Sequence, residues 1–173
     1  MISKYKYKGL LWVDLESPRK EEVESILEEF NLPQELSETM LKNGKNAKTD
    51  ISTFYTYSVL HFPQIIDSKG NTKNHEINFL IGKNFLITVH YEKNNVLNNF
   101  AKKFEAEELL KDGIVLESSA SLFYYLIQIL NEDTQLQLTN LYTGISNRKS
   151  TLISLLCIII AILGTVCIIL YLK

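Results

Sequence analysis

The end of the chain constrains it most. Residues 151–172, TLISLLCIIIAILGTVCIILYL, carry no charged side chain, and only Lys173 follows them. At about 1.5 Å per helical residue this run spans roughly 33 Å, against a hydrocarbon core of about 30 Å. Leu, Ile and Val dominate it, so its insertion into a bilayer is favourable without a partner. The run predicts one membrane-spanning helix that holds the preceding residues at a membrane surface. One helix per subunit also limits what any pore could be built from.

With 173 residues there is room for one folded domain before that helix. The chain carries 18 basic and 20 acidic residues, a formal charge of −2, and its basic residues are scattered, which argues against a nucleic-acid partner. Lys4, Lys6 and Lys8 alternate as a solvated strand edge would. Both cysteines, Cys157 and Cys167, lie in the apolar run, so the domain has neither a disulfide framework nor a cysteine-ligated metal site. The same three lysines interrupt any secretory leader pattern. Arg148 and Lys149 before the span against Lys173 after it favour a cytoplasmic N-terminal domain.

Leu10–Val13 reads as a strand ending at Asp14. Ser17 is placed to cap a helix opening at Pro18, with Val23, Ile26, Leu27 and Phe30 as its buried stripe and Asn31 as its stop. A shorter helix runs from Pro33 to about Lys42, before Asn43-Gly44. Residues 54–62 read as a strand stopped by Pro63, and Glu76–Ile81 and Phe85–Tyr91 as a hairpin through Gly82-Lys83-Asn84. Val96, Leu97, Phe100, Ala101 and Phe104 mark another amphipathic helix. From Ser118 nothing obligatorily breaks a helix, and Gly144 costs only about 1 kcal/mol relative to Ala. The order is β-α-α-β-β-β-α-α. It predicts an α/β domain over 1–117, a mixed sheet sandwiched by helices, then a helical stem over 118–150 and the membrane helix over 151–172.

These residues, in this order, resemble the CorA family of magnesium and cobalt transporters. The resemblance runs through Trp12-Val13-Asp14-Leu15 with Pro18 and the Glu-rich helix, then Val59-Leu60-His61-Phe62-Pro63. It continues through Glu76–Gly82, Asn84–His90, the stalk-like Tyr124-Tyr125-Leu126-Ile127, and Ser146-Asn147-Arg148 before the apolar run. It implies a homopentamer, pore-lining first membrane helices, and Mg²⁺ as the transported or regulatory ion, with no tightly bound cofactor. Members also carry a long stalk, a Gly-Met-Asn motif and a second membrane helix. Here residues 131–145 replace nearly all of the stalk, and Gly-Met-Asn does not occur. Two functions follow as expectations. One is an oligomeric divalent-cation transporter subunit, alone or in a hetero-oligomer with a full-length relative. The other is a non-conducting anchored regulatory or auxiliary module, or a truncated remnant.

Ser154, Cys157, Ala161, Gly164 and Thr165 recur at three- and four-residue spacing, a small-residue stripe suited to helix packing or to facing a pore. The resemblance gives Asp67 the place of an acidic residue in an inter-subunit regulatory Mg²⁺ site, although a solvated turn aspartate is the simpler reading. Glu76 and Asp14, near strand ends, read as structural. His61, His75 and His90 sit at spacings that match no zinc motif. Without a phosphate loop, nucleophile elbow or paired catalytic carboxylates, the sequence does not read as an enzyme.

Overall fold

The computed structural model describes residues 1–42, 44–65, 71–105 and 116–171, and within these all side chains but those of 65, 145 and 147–171. Six strands form one sheet: β1 (Ile2–Tyr7), β2 (Leu10–Glu16), β3 (Lys48–Ile51), β4 (Thr56–Ile65), β5 (Thr72–Ile81) and β6 (Phe85–His90). Four helices accompany them: α1 (Lys20–Glu29), α2 (Leu36–Leu41), α3 (Asn95–Glu105) and α4 (Ser119–Tyr171). The spatial order is β1-β2-β6-β5-β4-β3, antiparallel throughout except for the parallel β2–β6 pair. After β2 the chain crosses through α1 and α2 to the far edge, then returns by adjacent antiparallel pairings until β6 lies beside β2. β2 and β6, both interior strands, are covered on both faces, which is why LLWVDL and FLITVH read as near-continuous apolar runs.

Each face has its own core. On one, Val23, Ile26 and Leu27 of α1 and Met40 of α2 pack on Val13, Leu15, Tyr57, Val59, Leu80, Ile87 and Val89. On the other, Leu97, Phe100 and Phe104 of α3 and Leu122, Leu126 and Leu130 of α4 cover Trp12, Ile77, Phe79 and Leu86. Trp12 is the hub of that second core, with ring centroids 4.9 Å from Tyr5, 5.2 Å from Phe100 and 5.9 Å from Phe104. The expected mixed sheet between helices is thus present.

Local expectations are corrected in the sheet and at the first helix. β1 exists as a strand because Lys8 (φ 45°) and Gly9 (φ 86°) form the two-residue turn that right-twisted hairpins favour. β1 is also an outer strand, and Lys4 and Lys6 point to solvent as an exposed edge requires. β3 was missed because all four of its residues are exposed and carry no apolar period. Pro63 does not stop β4: β3 pairs only with Thr56–Val59, so among the described residues no strand pairs with Pro63 on that side, and a missing N–H is tolerated there. β5 accordingly starts at Thr72, opposite Ile65, rather than at Glu76.

The first helix begins at Lys20, not Pro18, and Ser17 does not cap it. Ser17 instead takes φ 46° and ties the end of β2 to that of β6, its N–H donating to His90 O and its hydroxyl to Tyr91 O, both at 2.8 Å. The Arg19 N–H is satisfied by Glu22 at 2.8 Å, which closes the helix start from inside. Asn31 ends the helix with φ 52°, as expected.

α4 is pinned at its start, where the Ser121 N–H donates to Ser118 Oγ at 3.1 Å and the Ser119 hydroxyl donates to Gly82 O. Its buried stripe ends at Leu130, and Leu136 and Tyr142 are exposed, so the helix leaves the domain about there. The helical backbone continues to Tyr171. Among the described residues no helix is long and apolar enough to cross a membrane, and the side chains of 151–172 lie outside them.

Candidate functional site

The polar chemistry of this domain lies on the two faces of the sheet, at the end where β2 and β6 finish. Strand alternation sends Trp12, Asp14, Thr88, His90 and His75 toward α3 and α4, and Tyr57, Val59, His61, Glu76 and Asn78 to the opposite face.

On the α3–α4 side a chain of hydrogen bonds crosses the core. The Trp12 indole donates to the Thr88 hydroxyl at 3.0 Å, and that hydroxyl donates to Asp14 Oδ1 at 2.5 Å. His90 Nε2 lies 3.3 Å from Asp14 Oδ2, and its Nδ1 lies 2.6 Å from Glu92 O. A carbonyl can only accept, and a carboxylate beside a fully buried ring favours a donor, so His90 carries hydrogen on both nitrogens. Burial opposes that charge, but the hydrogen bond and charge of Asp14 outweigh it and raise the His90 pKa above its ordinary value.

His75 differs. Its Nε2 lies 3.2 Å from the same Glu92 carbonyl, and its Nδ1 lies 3.2 Å from the Asn94 amide nitrogen. Asn94 Oδ1 accepts the Leu97 N–H at 3.0 Å, capping α3. The nitrogen facing His75 is therefore the donor end of the amide, and His75 Nδ1 must be a bare acceptor. His75 is neutral, and burial lowers its pKa. The two rings meet edge to face, 6.1 Å apart.

On the other face Glu76 holds the segment entering β3. Its Oε2 accepts the N–H groups of Gly44 and Lys45, both at 2.9 Å, while Lys45 Nζ lies 3.2 Å from Oε1. Lys45 Nζ also donates to Asn78 Oδ1 at 2.6 Å, and the Tyr57 hydroxyl donates to that same oxygen at 2.5 Å. Burial opposes ionisation of Glu76, yet the backbone and side-chain donors of Lys45 overcome it and hold its pKa below the usual range. Burial lowers the Lys45 pKa and raises that of Tyr57. Two open recesses flank Glu76: one of 320 Å³ toward Lys73 and Glu92, the other of 410 Å³ toward Asn46 and His61.

Asp14 and Glu76 thus sit in structural networks, as their strand positions suggested. The three histidines do not converge: His61 faces Glu76 at 3.6 Å on one side of the sheet, His75 and His90 each other on the opposite side. Among the described residues no group of three or more His, Cys, Asp or Glu is disposed to hold a metal. Asp67 lies outside the described residues. Ser154, Cys157, Ala161, Gly164 and Thr165 fall on the helical backbone of α4, with their side chains outside them. Sequence reading missed the partners Asn94, Thr88 and Lys45. The available signal was Thr88 and His90 standing at inward positions of an otherwise apolar strand.

A mixed sheet between two pairs of helices, with its last helix running out of the domain as a stem, defines the class of this protein. The family described as CorA-like Mg²⁺ transporter protein matches residues 7–155, and the chain belongs to that family. Among solved structures it is similar to the complete CorA magnesium transporter from Methanocaldococcus jannaschii, at TM-score 0.67 and 16% identity over 88% of this chain and 51% of that one. The soluble domain of the same transporter gives TM-score 0.64 and 14% identity over 84% and 56%. The ZntB cytoplasmic domain from Vibrio parahaemolyticus RIMD 2210633 gives 0.56 and 15% over 78% and 52%. The chain spans about half the length of the solved structures it matches. No curated protein matches it in sequence.

Proposed function

We propose that this chain is a membrane-anchored, oligomeric subunit of a divalent-cation transport assembly, with its α/β domain on the cytoplasmic side and no enzymatic activity. One observation carries the reading: in a chain of the CorA family, α4 runs as a single helix from the buried Leu122–Leu130 stripe to Tyr171, and its sequence over 151–172 is uncharged. Such a helix couples movement of the domain to the membrane without a flexible joint. In this reading it inserts in the bilayer, the stripe from Ser154 to Thr165 packs between subunits of a pentamer, and Mg²⁺ is the ion carried. Asp67 would serve a regulatory Mg²⁺ between subunits, since a hard cation prefers carboxylate and water oxygens.

The test is Mg²⁺ entry into proteoliposomes holding the full chain, followed with an enclosed indicator dye. The control replaces residues 151–172 with a scrambled apolar helix. Flux above the control is the expected result. Equal flux, with correctly oriented protein in both, rejects autonomous transport and leaves the auxiliary reading. Recovery of the chain in mixed oligomers with a full-length relative would then be its support.

A further inference from the structure

The two histidines of the α3–α4 face are held in opposite protonation states by geometry, and the neutral one touches the junction with the stem. His75 is 5% exposed and Asn94 is 6% exposed, so both partners of this hydrogen bond are buried. They line a cavity of 110 Å³ together with Asp133, Thr134 and Gln137 of α4. We propose that His75 is a proton-operated switch on the domain–stem junction: a proton on Nδ1 turns the acceptor of the Asn94 amide into a donor while Asn94 Oδ1 is committed to capping α3. Rotating the Asn94 amide does not resolve the conflict, because it would set the NH₂ group against the Leu97 N–H. Either the His75–Asn94 bond or the α3 cap is lost, and both losses fall where residues 94–96 face α4 across the cavity.

The surrounding charges fix the direction. His90 on β6 and Lys73 on β5 repel a second positive charge, while Glu92, which is paired with Lys73, attracts it. Asp133 on α4 lines the same cavity, where its Oδ2 accepts from Gln137 Nε2 at 2.6 Å. β4 presents Phe62 opposite His75, and Glu76, the next residue on β5, turns to the other face. Burial keeps His75 neutral at pH 7 and moves its protonation below the ordinary imidazole value of about 6.5. In that interval the unfolded or opened chain binds the proton and the closed one does not, so acid favours opening. The inference holds whether or not the chain conducts ions.

The experiment is amide hydrogen exchange on the full chain in lipid nanodiscs between pH 8 and pH 5, corrected for the intrinsic pH dependence of exchange. The expected result is loss of protection in the first turn of α3, by up to about tenfold per pH unit below about 6.5, with α1 on the far face unchanged. In His75→Gln, whose amide can accept from Asn94 and donate to Glu92 but cannot titrate, protection should not depend on pH. Constant protection in the unaltered chain, or the same loss in His75→Gln, overturns the proposal. Should His75→Gln fail to fold, ¹⁵N imidazole spectra of the unaltered chain decide. A bare Nδ1 at pH 7.5 that gains its proton where protection falls supports the switch. A protonated Nδ1 at pH 7.5, or titration outside that window, refutes it.

Discussion

Thr88 and Asp14 meet in the buried centre of the parallel β2–β6 pair, the threonine hydroxyl donating to Asp14 Oδ1 at 2.5 Å while accepting the Trp12 indole N–H at 3.0 Å. One hydroxyl therefore satisfies two other buried groups. Thr88→Val keeps the shape of the side chain, strands the Trp12 indole N–H and leaves Asp14 with His90 but without the hydroxyl. The expected loss is about 1–3 kcal/mol of unfolding free energy, the cost of one unsatisfied buried group. Urea unfolding followed through Trp12, the single tryptophan, measures it directly. Thr88→Ser should recover most of the loss, and a Val variant as stable as the parent would contradict the network.

Glu76 and Lys45 form a buried pair, with side-chain exposures of 7% and 9%. Glu76→Gln should cost about 3 kcal/mol, since it leaves the ammonium group without its charge partner and weakens the bonds to Gly44 and Lys45 N–H. Adding Lys45→Met should recover part of it, because the stranded charge is then gone. The carboxyl ionises more readily in the folded chain than in the unfolded one. Its contribution is thus complete above the ordinary glutamate value of about 4.3 and disappears as pH falls through the folded value. A double-mutant cycle followed downward from pH 7 should show coupling that is constant above about 4.3 and declines only below it.

His90 acts in the opposite sense. Its folded pKa is raised, so the stability it contributes is complete below the unfolded value of about 6.5 and is lost as pH rises through the folded one. The slope is about 1.4 kcal/mol per pH unit within that interval. The stability difference between the parent and His90→Asn should therefore shrink from pH 6 toward pH 9. A difference that grows with pH would mean that His90 is neutral when folded.

Phe104 touches the rings of Tyr5, Tyr7, Trp12 and Phe100, and it is 1% exposed. Phe104→Ala should destabilise the domain by about 3–5 kcal/mol through lost burial and the cavity left behind. Trp12 emission should shift to the red as water reaches the vacated space. Phe104→Leu, which keeps most of the volume, should cost much less.

Much of the fold was legible because its signals are local. The stripe of Val23, Ile26 and Leu27, the left-handed Asn31 stop, the Gly82–Asn84 hairpin turn and the apolar runs of β2 and β6 each follow from residues close together in the chain. What failed had non-local causes. Ser17 looks like a helix cap until β6 arrives to take both its hydrogen bonds. Pro63 looks like a strand end until β3 proves too short to cover it. β3 carries no period because all four of its residues are exposed.

The sequence by itself determined the family, the mixed α/β class and an uncharged terminal run long enough for a bilayer, while the continuity of the helix from Ser119 to Tyr171 came from the structure. Periodicity and transfer free energy depend on composition within a short window, so no tertiary knowledge was needed. Only the tertiary structure decided the protonation of His75 and His90. They stand on neighbouring strands, on the same face, and donate to one carbonyl. What separates them is whether the second nitrogen meets Asp14 or the donor end of Asn94, and those partners lie 76 and 19 residues away along the chain. Hydrogen-bond polarity at that range is fixed by strand order and register, which no local pattern encodes.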